Sequence, residues 1–173
     1  MLMSNFMHDI TSKLYLNEKF LTISYLNGVA YGGGAELATC TDMRLASKKA
    51  KVAWVHKKIA LQPGWGGAAR LTSLLGPQSA LYMLLTAKPF DAEELINIRF
   101  CAPEIVNDID LWLDKHVLSI PKPVLRVMKQ NSVNALKYDY LTALENERAL
   151  FGTLIGQDAN RTALQNMKHK LKK

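Results

Sequence analysis

Cysteine is scarce in this sequence. Cys40 and Cys101 are the only two among 173 residues, and they form no Cys-x-x-Cys pair. Two isolated thiols provide neither a disulfide framework nor a structural zinc site, and they suit a reducing compartment. His8, His116 and His169 share no metal-ligand spacing. We therefore expect no metal site.

Long apolar runs are also missing. No stretch approaches the roughly 20 apolar residues that a transmembrane helix needs. Residues 1–19 lack the uninterrupted apolar core of a signal peptide. These two absences predict a cytoplasmic protein with no membrane span.

Acidic residues are outnumbered: 22 lysines and arginines face 15 aspartates and glutamates, which gives a net charge of +7. An excess of this sign permits an anionic ligand, a nucleic acid or an acidic surface, and it does not choose among them. The sequence has no known nucleic-acid-binding module and no basic run interleaved with aromatic residues, so we expect no nucleic-acid partner. Lysines cluster at the C-terminus, where a solvated tail and a phosphate-binding tail are both open: Lys168, Lys170, Lys172 and Lys173.

Apolar residues make up 49% of the chain, enough for a hydrophobic core, and their spacing predicts an α/β fold. Strands are expected at the front, and the rear is expected to be almost entirely helical. We therefore divide the chain into residues 1–107 and a helical region, 108–173. Strands are predicted at 20–26, 42–46, 51–55 and, more briefly, 105–106; helices are predicted at 1–18, 35–40, 68–75, 78–86, 92–98, 108–118, 124–136, 138–154 and 160–171.

The most informative stretch is Asn27–Glu36, in which three consecutive glycines join a predicted strand to a predicted helix. Glycine lets the backbone approach another group closely, because no Cβ is in the way. The first N–H groups of a helix have no intrahelical partner, so they can hold a ligand oxygen that gains negative charge. Glu36 follows in the first turn. The alternative is a tight turn whose glutamate complements the helix dipole.

Three segments in order, Asn27–Glu36, Asp42–Ala46 and Pro63–Leu71, together resemble the enoyl-CoA hydratase/isomerase (crotonase) superfamily. Leu81–Ala87 and Asp91–Leu95 continue the resemblance. It implies a crotonase-like α/β fold and an acyl-CoA thioester as the substrate. It also implies no cofactor beyond the coenzyme A that the substrate carries, and assembly into a homo-trimer or hexamer.

The resemblance also implies roles for individual residues. The second oxyanion-hole N–H of the superfamily falls on Gly33. The first acid/base glutamate of the hydratases falls on Glu36, and their second glutamate is replaced by His56. Further residues are expected to bind the substrate, the lysines through the coenzyme A phosphates: Gly32, Gly34, Pro63, Gly64, Trp65, Lys168 and Lys170.

Histidine at position 56 argues against hydration, which uses two carboxylates to manage a water molecule and a proton. Val55–Lys58, Trp65 and the tail after Phe151 are most similar to superfamily members that decarboxylate ethylmalonyl-CoA and methylmalonyl-CoA. That reaction needs a thioester carbonyl held by donors, so that an enolate can form, and a proton for the α-carbon. His56 is expected to supply that proton or to hold the departing carboxylate.

The superfamily carries several strands and helices ahead of the segment that Met1 begins. By resemblance, that front part supplies the first oxyanion-hole N–H and part of the coenzyme A cleft. We therefore expect an N-terminally truncated crotonase fold. Two alternatives to a decarboxylase stay open: a non-catalytic remnant that binds coenzyme A or joins full-length subunits, and an enoyl-CoA hydratase or isomerase.

Overall fold

The computed structural model describes residues 2–170 and the side chains of residues 3–169. The chain forms two compact units. The first contains the chain up to Asn17 together with Thr22–Trp112, and the second contains Glu18–Leu21 and the chain from Leu113 onward. The domain boundary between residues 107 and 108 stays a prediction from the sequence.

Five short strands of the first unit form two small sheets. Strands β1 (Ile23–Leu26) and β3 (Met43–Ala46) pair in parallel, with Ile23 opposite Met43. In the other sheet, β4 (Lys51–Ala53) lies between β2 (Val29–Tyr31) and β5 (Phe90–Asp91). It runs parallel to β2 and antiparallel to β5.

The helices confirm an α/β chain with a helical rear. In chain order, those of the described residues are α1 (Leu2–Tyr15), α2 (Gly33–Ala38), α3 (Gly67–Leu75), α4 (Pro77–Thr86), α5 (Ala92–Asn97), α6 (Ile109–Leu113), α7 (Lys122–Lys137), α8 (Tyr140–Gly152) and α9 (Asp158–Lys170). A 3-10 helix, Val55–Ile59, follows β4, and a π-helical turn, Asp114–Leu118, follows α6.

Several sequence-based boundaries were wrong, each for a local reason. The sequence places Val29–Tyr31 in the glycine turn, but this segment pairs with β4 and forms a strand. The strand predicted at 51–55 ends at Ala53, and His56 lies in the 3-10 helix, which ends at a left-handed Ala60. The helix predicted from residue 138 begins at Tyr140, because the Asp139 side chain accepts the N–H groups of the first turn.

The core of the first unit is built on the strands and on α2 to α5. Trp54 and Phe100 are both buried, and their rings meet edge to face with centroids 5.4 Å apart. Arg44, 8% exposed, donates from Nε to the Phe100 carbonyl over 2.7 Å. The buried guanidinium therefore ties β3 to the segment after α5. Further core residues are Leu26, Ala35, Ala38, Ala46, Val52, Leu71, Met83 and Leu95.

In the second unit, α7 packs against α8. Val127 and Val133 are the buried apolar residues of α7, whereas none of the residues of α8 is buried. Within residues 2–170, no helix is long and apolar enough to span a membrane.

Candidate active site

The glycine junction joins β2 to α2 as expected. Gly32 has φ 54° and ψ −116°, a conformation that favours glycine. Its N–H donates to the Ala53 carbonyl over 2.9 Å, and its carbonyl accepts the Glu36 N–H over 3.0 Å. Gly33 is the first helical residue, and its N–H donates to no partner among the described residues. The junction therefore uses the Gly32 N–H internally, whereas the Gly33 N–H has no partner among the described residues; its role as a donor to a ligand stays a prediction.

The indole ring of Trp65 lies directly against Gly33. A Cβ at position 33 would come within 2.5 Å of two indole carbons, so this close approach requires glycine. A Cβ at position 34 would make only an ordinary contact of 3.6 Å with the Ala30 Cβ. The half-buried Trp65 side chain thus forms one wall beside the Gly33 N–H.

Glu36 is 1% exposed, and both of its carboxylate oxygens accept hydrogen bonds from backbone N–H groups. Oε2 accepts the N–H groups of Trp65 and Gly67 over 2.8 and 3.0 Å. Oε1 accepts the Gly64 N–H over 3.3 Å and lies 3.1 Å from His56 Nε2. A Cβ at position 67 would come within 2.7 Å of Oε2. The buried carboxylate therefore holds the turn at residues 64–67 against the start of α2, and only a glycine at position 67 leaves room for it.

His56 joins this cluster from the 3-10 helix. Its side chain is 13% exposed, and its Nε2 faces Glu36. The other ring nitrogen, Nδ1, is buried and has no hydrogen-bond partner in the part of the chain that the structure describes. The two lysines that follow His56 in the chain, Lys57 and Lys58, are exposed, and Lys57 donates to the Leu85 carbonyl. One ring nitrogen of His56, Nε2, is thus held by Glu36, and the other, Nδ1, has no hydrogen-bond partner among the described residues.

Three buried side chains, to which the sequence assigned no role, support the turn. The Trp65 carbonyl accepts the Thr11 hydroxyl over 2.7 Å and an Arg70 N–H over 2.7 Å. Arg70 also donates from Nε to the Thr39 hydroxyl over 3.0 Å. Burial lowers the pKa of Arg70, and the nearby Cys40 and Glu36 oppose that shift. The only sequence signal was the position of Arg70 within the segment Pro63–Leu71.

The structure thus brings together six of the predicted site residues, in the first unit: Gly32, Gly33, Glu36, His56, Gly64 and Trp65. Pro63 precedes Gly64 in the same turn and is half-buried. Lys168 is exposed on α9 in the second unit. The side chain of Lys170, and Lys172 and Lys173, lie outside the described residues, so all substrate-binding roles stay predictions.

Other reactive side chains do not extend this site. Burial raises the pKa of the Cys101 thiol to about 12, and it also raises the pKa of Cys40. Both thiols are therefore protonated near neutral pH and poorly nucleophilic. Among the described residues, no three histidine, cysteine or acidic side chains are grouped so as to hold a metal ion.

Residues 3–173 match the family model for enoyl-CoA hydratase/isomerase. The chain is also similar to proteins named ethylmalonyl-CoA decarboxylase. It is 33% identical to the Danio rerio protein, over 98% of this chain and 59% of the relative. It is 32% identical to the Mus musculus protein, over 94% of this chain and 52% of the relative. The chain thus spans little more than half the length of these curated relatives.

Solved structures with the same fold were also found. Enoyl-CoA hydratase from Thermoplasma volcanium GSS1 matches with a TM-score of 0.82 and 26% identity, covering 94% of this chain and 66% of that one. Enoyl-CoA hydratase from Bacillus anthracis matches with a TM-score of 0.85 and 23% identity, covering 96% of this chain and 66% of that one. The predicted crotonase-like α/β fold is confirmed.

Proposed function

Because the chain belongs to the enoyl-CoA hydratase/isomerase family, we propose that it decarboxylates ethylmalonyl-CoA or methylmalonyl-CoA. The observation that carries this proposal is the contact of 3.1 Å between His56 and the buried Glu36. Glu36 lies in helix α2, whose first residue, Gly33, has an N–H without a partner among the described residues. The names of the relatives, which are 33% and 32% identical, support the choice of a decarboxylase.

In the proposed reaction, the thioester oxygen accepts the Gly33 N–H. The bond between the α-carbon and the carboxylate breaks, CO₂ leaves, and the electron pair spreads into an enolate whose oxygen that N–H stabilises. His56 then gives a proton to the α-carbon. One such backbone donor typically contributes about 2.7–4 kcal/mol to transition-state stabilisation. Coenzyme A enters as part of the substrate.

The surroundings of Glu36 argue against hydration. A hydratase of the expected type needs two carboxylates that can exchange protons with a water molecule. Here the only carboxylate of the cluster already accepts three backbone N–H groups. Its fourth neighbour is an imidazole rather than a second carboxylate. We therefore assign proton transfer to His56 and give Glu36 no contact with the substrate.

The test is CO₂ release from ethylmalonyl-CoA and methylmalonyl-CoA by the purified chain, with His56→Ala as the control. Loss of a general acid typically lowers the rate by about 10²–10⁴-fold. We expect His56→Ala to lose activity to that extent while still binding the thioester. No CO₂ release above the blank would reject the proposal for this chain.

Two further measurements separate the alternatives. Hydration of crotonyl-CoA by the same preparation, followed by loss of enoyl absorbance, would indicate a hydratase instead. Coenzyme A binding without turnover, together with a mixed oligomer with a full-length relative in native mass spectrometry, would indicate a non-catalytic remnant. The proposed decarboxylase predicts no crotonyl-CoA hydration.

A further inference from the structure

We infer that Glu36 is a positioning residue that fixes which nitrogen of His56 exchanges protons: Nε2 keeps its hydrogen, and Nδ1 gains and loses one. The assignment of Nδ1 rests on the contacts within the cluster. Its catalytic consequence rests on the proposed function.

The first step is the acceptor character of Glu36. An ionised carboxylate accepts hydrogen bonds and donates none. Oε1 lies 3.1 Å from His56 Nε2, so Nε2 must carry a hydrogen for the contact to be favourable. A neutral imidazole has a single N–H, which leaves the lone pair on Nδ1.

The second step is that the carboxylate has little freedom to rotate away. Its other oxygen accepts the Trp65 and Gly67 N–H groups over 2.8 and 3.0 Å, and these donors belong to the backbone. Gly67 lies so close that an added Cβ would meet the Glu36 Cγ at 2.5 Å. The same side chain therefore anchors the turn and orients the histidine ring, and any movement of Glu36 breaks both sets of contacts.

The third step is the state of Nδ1. It is buried, yet it lacks a partner among the described residues, and buried polar atoms are normally hydrogen-bonded. In the proposed reaction, the missing partner is the substrate. In the proposed reaction, the enolate electron pair forms the new C–H bond at the α-carbon. The Nδ1–H bond of the imidazolium breaks, its electron pair stays on Nδ1, and the neutral ring retains Nε2–H.

The experiment is a long-range ¹H–¹⁵N correlation spectrum of the whole chain labelled with ¹⁵N-histidine. The His56 signals are assigned by their absence in His56→Gln. At about pH 8.5, above the ordinary range of histidine pKa values, we expect the shifts of an Nε2–H tautomer. An Nδ1–H tautomer, or equal shifts for the two nitrogens, would overturn the inference without the use of any Glu36 variant.

Glu36→Gln provides the second measurement. The amide oxygen is expected to keep the two N–H groups at Trp65 and Gly67, which turns the NH₂ group toward Nε2. Nε2 must then accept, so the tautomer should invert to Nδ1–H. Glu93→Gln removes the same charge from an exposed site on α5 and should leave the His56 spectrum unchanged. A folded Glu36→Gln protein that retains the wild-type tautomer would contradict the inference.

The outcomes are distinguishable from those of the proposed function. If the purified chain releases no CO₂ but His56 shows the Nε2–H tautomer, the decarboxylase proposal fails and the role of Glu36 in orienting His56 stands. If the chain is active, inversion of the tautomer in Glu36→Gln should lower kcat by about 10²–10⁴-fold, the range for a lost general acid. KM should change far less.

Discussion

The two units of the chain differ in the burial and hydrogen bonding of their side chains. In the first unit, five buried polar or charged side chains form hydrogen bonds with specific partners, several of them backbone groups distant in sequence. In the second, α8 exposes large apolar side chains: Tyr140 is 75%, Leu141 70% and Phe151 60% exposed. No residue of α8 is buried, so we expect substitutions at the buried polar contacts of the first unit to cost more stability than substitutions on α8. Paired buried residues of the first unit are Thr11, Glu36, Thr39, Arg44 and Arg70.

The largest effect is expected from Glu36→Ala. It leaves three backbone N–H groups and the His56 ring without their acceptor. Removing one partner of a buried polar cluster typically costs about 3–5 kcal/mol. We expect the free energy of unfolding, measured with urea, to fall by that amount. Glu93→Ala, on the exposed side of α5, is the matched control and should change it by less than about 0.5 kcal/mol. Equal effects from the two variants would remove the basis of the comparison.

Gly67→Ala tests the space around the same carboxylate. Its Cβ would come within 2.5 Å of the Glu36 Cγ, and overpacking of this kind typically costs about 1–3 kcal/mol. Gly152→Ala is the control in the second unit, because a Cβ there meets nothing within 4 Å. Alanine in the α8 helix should be neutral or stabilise it by about 0.4–1 kcal/mol. Urea unfolding of both variants measures the contrast, and a destabilised Gly152→Ala would contradict it.

The buried thiol of Cys101 predicts a dependence on pH. Burial raises its pKa from 9.0 to about 12, so above pH 9 the unfolded chain loses a proton that the folded chain retains. Stability is therefore complete below pH 9 and falls as the pH rises toward 12. From pH 8 to pH 10 the contribution of this thiol should be a loss of about 1 kcal/mol. Urea unfolding at both pH values measures it, and Cys101→Ala should show a shallower decline than the wild type. Identical declines would exclude this linkage.

The smallest effect is expected in the second unit. Leu141 is 70% exposed on α8, so Leu141→Ser removes almost no buried area. Substitutions at such positions usually change stability by less than about 0.5 kcal/mol. Urea unfolding should show no larger shift, and circular dichroism should show the same helix content. A loss near that of Glu36→Ala would mean that α8 is far less tolerant than its exposure indicates.

Much of the fold could be predicted from local patterns. The existence of strands β1 and β3, the helices α3 and α4, and the break at Gly76-Pro77 follow from apolar spacing and from glycine and proline positions; the parallel pairing of β1 with β3 does not. Strand β2 could not be predicted, because three residues before a glycine turn acquire strand geometry only through pairing with β4. The 3-10 helix Val55–Ile59 could not be predicted for a similar reason, because the stretch 51–55, rich in valine and tryptophan, resembles a strand.

The candidate site divides in the same way. By resemblance to the family, the sequence indicated Gly33, Glu36 and His56 as a group, and the structure brings Glu36 and His56 within hydrogen-bond distance. The sequence did not reveal that backbone N–H groups of the turn at residues 64–67 donate to both oxygens of the Glu36 carboxylate. Every residue except proline has a backbone N–H group, so residue types do not indicate which of these groups converge on one carboxylate. Only the three-dimensional structure shows that.

The family, the order of the elements and the glycines that permit close approach can all be read from the amino-acid sequence. The glycines reflect local chemistry, since only a residue without a Cβ fits at Gly33 against Trp65 or at Gly67 against Glu36. Which groups those close approaches bring together depends on the folded chain. Residues about 30 positions apart in the chain meet through packing, and only that meeting makes Glu36 the anchor of the turn at residues 64–67 and a hydrogen-bond partner of His56. The acid/base role of Glu36 that the resemblance implies stays a prediction.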